Sequence, residues 1–151
     1  MGKLIKVLLH TSLSFFTRVL IPLGFLYLIP KEISIYINNI IDLNKFIYNL
    51  IIIGIIIVVL TFIHRYSSST SKIGLLTSIA GSITSLYFTL YVITLGNLSS
   101  MGLLYIDLSK IVNQKIWLSI EYSIIVYLFI IACLISILKS FVDWIKFRSI
   151  R

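Results

Sequence analysis

The sequence predicts an all-α integral membrane protein, a bundle of four transmembrane helices with two short interfacial amphipathic helices. Three observations carry this reading. Of the 151 residues, 59% are hydrophobic and only 12% charged, against roughly 25% charged in soluble domains, and the mean hydropathy is +1.08. The apolar residues gather into four runs, each long enough to cross a hydrocarbon core of about 30 Å. The segments between the first and second runs and between the third and fourth alternate polar and apolar residues at the helical period. All of 1–151 is expected to form a single membrane domain.

The first span is expected at about 13–29. Lys3 and Lys6 before an apolar run resemble a secretory signal, but Arg18 interrupts the run and no small-residue cleavage site follows, so an uncleaved span is expected. Pro22 should bend this helix and Pro30 should end it. Residues 31–45 place Ile33, Tyr36, Ile37, Ile40 and Ile41 on one side and Asn38, Asp42 and Lys45 on the other, the pattern of a helix lying in the interface. The second span, about 46–63, is almost pure Ile and Val around Gly54. His64, Arg65 and a short Ser-rich turn lead into the third span, about 73–95, so the two spans are antiparallel neighbours. A second interfacial helix is expected over 97–115. The fourth span is expected at about 116–138, followed by a basic tail, 139–151, in which Lys139, Trp144, Lys146, Arg148 and Arg151 anchor the headgroup region.

The third span is the one whose two faces differ in kind. At about 100° per residue, Gly74, Ser78, Gly81, Ser82, Ser85 and Thr89 share one side, and large apolar side chains cover the other. In lipid a small-residue face admits close approach of another helix and offers it hydroxyl hydrogen bonds. Two charges lie inside the expected spans, Arg18 and Glu121, each roughly 8 Å from the start of its helix by helical rise. Snorkelling to the headgroups or pairing across the bundle are the two readings of each.

Orientation follows from Lys and Arg. The side with both termini and the 64–72 turn carries Lys3, Lys6, Arg65, Lys72, Lys139, Lys146, Arg148 and Arg151. The other side has Lys31, Lys45, Lys110 and Lys115, diluted by acids, so both termini are expected in the cytoplasm of a cell-membrane protein. The two outer connections also share a phrase, with Asp42 and Lys45 matching Asp107 and Lys110. That fits a duplicated helical hairpin, although the remainder of the chain aligns poorly.

No nucleophile elbow, phosphate loop or metal-binding helix motif is present, and the five acidic residues are scattered. Enzymatic activity is therefore not expected, and no cofactor is. The net charge of +8 sits at the ends of apolar runs, where it serves topology and lipid headgroups rather than nucleic acid. His10 and His64 are the only histidines; they suit headgroup boundaries better than a metal site. The expected function is a non-enzymatic subunit or scaffold of a larger membrane assembly, docking through the small face of the third span. The alternative is a homo-oligomeric small transporter or channel with Arg18 and Glu121 near its path. Partners are then membrane lipids with other subunits or further copies of the chain. On the subunit reading, Gly81→Leu or Ser85→Leu dissociates the assembly in mild detergent, and a complex of unchanged mass contradicts it.

Overall fold

The structure, a computed structural model, describes residues 2–38, 41–67, 71–98, 102–107 and 117–148. Its order is α1 (Lys3–Phe15), a π-helical segment (Phe16–Leu20), α2 (Ile21–Leu28), α3 (Lys31–Asn38), α4 (Leu43–Tyr66), α5 (Lys72–Ile93), strands β1 (Leu103–Asp107) and β2 (Trp117–Glu121), and α6 (Ser123–Arg148). Four helical stretches are long and apolar enough to cross a membrane: Leu4–Gly24, Leu43–Tyr66, Lys72–Ile93 and Ser123–Lys146. Together they form a four-helix bundle. Helix α4 packs against α1 on one side and α5 on the other, and α5 carries α6.

Helix α1 begins at Lys3, ahead of the span expected at 13–29. Pro22 acts on the backbone through a π-helical segment. A proline at position 22 has no N–H to give the carbonyl of Arg18, four residues back, and its ring crowds that carbonyl. The ladder widens just before it. The N–H of Ile21 reaches the carbonyl of Phe16 instead of that of Thr17, which is the i→i+5 pattern of a π-bulge. The freed carbonyl of Arg18 faces Gly54, the twelfth of the 24 residues of α4. A Cβ added to Gly54 would collide with the Arg18 carbonyl oxygen and stand 3.1 Å from its carbon. Only glycine lets the two backbones meet there, in the arrangement of a Cα–H···O contact.

Helix α3 makes the start of 31–45 helical, and the Asn38 side chain accepts from the N–H of Leu43 at 3.0 Å. Asp42 then caps α4, its carboxylate accepting from the N–H of Lys45 at 3.0 Å. This satisfies a helix-terminal donor. Ser71 caps α5 in the same way through the N–H of Gly74, 2.9 Å away.

The segment expected as a second interfacial helix, 97–115, is not helical where it is described. Leu103–Asp107 pairs antiparallel with Trp117–Glu121, in the register Leu103↔Glu121, Tyr105↔Ser119 and Asp107↔Trp117. The fold is therefore not purely α. Short apolar runs do not distinguish helix from strand by period, and here the start of the expected fourth span supplies the second strand. The pairing satisfies the backbone groups that face each other across the two segments and leaves Glu121 exposed on a strand end, where an apolar helix would have carried it into lipid at several kcal/mol. The fourth helix accordingly starts at Ser123 instead of 116 and continues unbroken past 138 to Arg148. Gly102, at φ +96°, turns the chain into the hairpin, and its carbonyl accepts from the N–H of Tyr122 at 2.9 Å. The duplicated-hairpin expectation falls with this. One outer connection is a helix with a cap and the other a β-hairpin, Asp107 lies on a strand, and Lys110 lies outside the described residues.

The packed core sits at the end of the bundle that carries the hairpin. Every buried residue of α4 falls between Leu43 and Ile57. Leu50, Ile53 and Ile57 meet Tyr91 with Phe46 and Phe88 beside them, and Leu90 packs on Tyr122 and Val126. Phe46 stacks on Tyr91 at 5.4 Å between centroids, and Asn49 donates to the Tyr91 hydroxyl at 2.9 Å. Part of the large face of α5 is bare, with Leu76 and Ile83 65% and 53% exposed, open to lipid.

Gly54→Ala is expected to lower stability by about 1–3 kcal/mol, as overpacking does. Gly24→Ala, where an added Cβ meets nothing within 4 Å, should raise it by about 0.5–1 kcal/mol. Reversible denaturation in mixed micelles measures both, and equal effects would contradict the close approach at Gly54.

Candidate functional site

Away from the packed core, toward the end where α4 connects to α5, the helices border an open cavity of about 370 Å³ whose lining mixes hydroxyls with apolar side chains. Its floor is the small face of α5: Thr77, Ser78, Gly81, Ser82, Ser85 and Thr89 all line it. From Thr77 to Thr89 the floor is about 18 Å long by helical rise. Helix α4 supplies one wall through Ile57, Leu60, Thr61, His64 and Arg65, and α6 supplies the other through Phe129, Ala132, Cys133 and Ser136. The remaining lining comes from Leu86 and, reaching in from the π segment, Arg18.

Arg18 is half-buried, and its Nη1 donates to Ser85 Oγ at 2.8 Å. Its guanidinium also stands 5.9 Å from the centroid of the Phe88 ring, within cation–π range. Because its backbone meets Gly54 midway along α4, Arg18 is near the centre of the bundle, deeper than the expected 8 Å. The expected partner Glu121 is elsewhere. It sits on β2, and its nearest described polar contact is the Ser123 hydroxyl at 3.5 Å. Glu121 therefore stands before α6 and not on it. Among the described residues that line the cavity none is acidic, and Arg18 has no carboxylate partner.

Two hydroxyls of the small face of α5 are bonded to α6. Ser78 Oγ is 2.8 Å from Ser140 Oγ, and Ser82 Oγ is 3.0 Å from Ser136 Oγ. These two rungs run in opposite sense along α5 and α6 and stitch the antiparallel pair. Gly81, between them, has nothing within 4 Å of an added Cβ, so its smallness makes space rather than contact. Gly74 is buried, and its carbonyl accepts from Nδ1–H of His64 at 3.0 Å. That bond assigns the neutral ring its tautomer and leaves Nε2 as an acceptor.

His10 is separate from this site, exposed on α1 with Nδ1 donating to the carbonyl of Lys6 at 3.0 Å. Among the described residues no group of three or more His, Cys, Asp or Glu side chains is placed to hold a metal. Of the anchor residues, Lys139 and Lys146 are exposed on α6 and Trp144 is half-buried; Arg148 ends α6, and Arg151 lies outside the described residues. No protein-family model, curated protein or solved structure matches this chain.

Sequence reasoning missed four contributors to the site. Gly54 looked featureless, although a lone glycine inside an Ile and Val run opposite a proline-containing span is a signal of close approach. Ser136 and Ser140, four residues apart in an apolar helix, match the spacing of Ser78 and Ser82 and were legible as a hydrogen-bonding edge. Phe88 carried no signal of its own. A double-mutant cycle on Ser82→Ala and Ser136→Ala should give a coupling of about 0.6 kcal/mol, typical of interhelical hydrogen bonds in bilayers; no coupling would place α6 elsewhere.

Proposed function

We propose that the chain is a non-enzymatic multi-pass membrane protein that admits a polar solute from one face of the membrane, as a small transporter or channel. The observation that supports this reading is the asymmetry of the bundle. A hydroxyl-lined cavity with an arginine at its inner end occupies one half, and a packed aromatic plug of Phe46, Phe88 and Tyr91 occupies the other. Intramembrane polar groups that face a cavity mark solute paths. By the excess of Lys and Arg around the termini and the 67–71 turn, the mouth faces the cytoplasm. The plug is then the barrier to the far side.

A second reading keeps the chain as a subunit of a larger assembly but moves the contact. The small face of α5 already bonds Ser136, Ser140 and Arg18. Helix α6, only 6% buried over its apolar window, is the surface such an assembly would use. The native mass in mild detergent separates the readings.

Cys133, the sole cysteine, lines the cavity and reports on it. In membrane vesicles an impermeant maleimide is expected to label it from the side that bears the termini and not from the other. Ser82→Leu, which fills the floor, should slow labelling about tenfold or more. Labelling from neither side would remove the cavity as a solute site. Tyr91→Ala, which removes the centre of the plug, should allow labelling from both sides.

A further inference from the structure

The cavity holds fixed positive charge, and among the described residues that line it nothing negative meets it. Arg18 offers five N–H donors, and among the described residues one of them is used, on Ser85. Arg65 flanks the mouth, and no described lining residue is acidic. Holding a guanidinium at the bilayer centre costs about 2.5–3.5 kcal/mol even on insertion scales, and a counter-charge offsets this best when it matches the planar fork. While Ser82 donates its own hydroxyl to the carbonyl of Ser78 at 3.1 Å, Thr61 and Ser85 place hydroxyls on the same space. Its volume, near the lower end of the roughly 300–1,000 Å³ of ligand pockets, suits a small group.

We propose that the cavity is an oxyanion site, in which Arg18 binds a carboxylate- or phosphate-type group with Ser85 and Ser82 beside it. The group arrives either as a dissolved anion through the mouth at Arg65 or as a lipid phosphate entering between α4 and α6. The inference rests on the proposed solute-admitting cavity and adds its charge selectivity.

The test uses the full chain in maltoside micelles, which contain no phosphate, and follows modification of Cys133 by three methanethiosulfonates: uncharged, sulfonate-bearing and trimethylammonium-bearing. With rates normalised to a free thiol, the sulfonate reagent is expected to react about tenfold faster than the cationic one. Arg18→Gln should bring the ratio to about one, and Arg18→Lys should keep it clearly above one. Inorganic phosphate or a short-chain phosphatidylglycerol should slow the uncharged reagent, the first identifying a dissolved anion as ligand and the second a lipid headgroup. A reactive Cys133 with no preference for the sulfonate reagent overturns the oxyanion site while leaving the open cavity standing, as does protection by neither phosphate species. Failure of all three reagents overturns both readings. The wild-type arms decide the matter even if Arg18→Gln does not fold.

Discussion

The arrangement depends on one backbone carbonyl. Pro22 deprives the carbonyl of Arg18 of its helical donor, and the π-bulge over Phe16–Leu20 absorbs the mismatch. Gly54 receives that carbonyl where any other residue would repel it. The contact fixes the depth and rotation of the first span against α4. Because backbone and side chain of Arg18 leave the same Cα, the close approach also fixes where the guanidinium goes. It reaches across to Ser85 on α5 instead of back along the helix to the headgroups.

The two halves of the bundle then solve different problems. At the hairpin end, large side chains fill the space between helices, and Asn49 satisfies the Tyr91 hydroxyl inside the plug. Toward the turn end, α5 presents Gly, Ser and Thr, which are too small to fill the space. Hydroxyl pairs hold α6 at the edge of that space, and several hydroxyls bond their own helix, as Thr89 does to the carbonyl of Ser85 at 3.0 Å. Without a hydrophobic drive between helices in lipid, such pairs and van der Waals contact are what position α6. A bundle packed at one end and hollow at the other follows from the distribution of side-chain size along α4 and α5.

Much of this was legible in the residues. The long Ile, Val and Leu runs marked four helices because lipid forbids other lipid-exposed spanning structures of this length, and the small face of α5 was readable from its spacing. What that face meets was not readable, because a stripe of small residues accommodates a foreign helix, the chain's own helix or a void with equal ease. The hairpin escaped because Leu103–Asp107 and Trp117–Glu121 are short, and the pairing that decides them joins segments separated in sequence. Glu121 was misplaced for the same reason: its helix starts two residues later. Arg18 was recognised as unusual, but its depth depended on a helix starting at Lys3 and on Gly54, neither of which periodicity reports.

The inward position of Arg18 is the claim on which the cavity and its chemistry depend. Solid-state NMR of the labelled protein in lipid bilayers tests it directly, through carbon–carbon correlations from Arg18 Cζ. The account predicts cross-peaks to Ser85 Cβ and to the Phe88 ring. An Arg18 side chain correlated with neither residue of α5 would show the guanidinium outside the bundle and contradict the account.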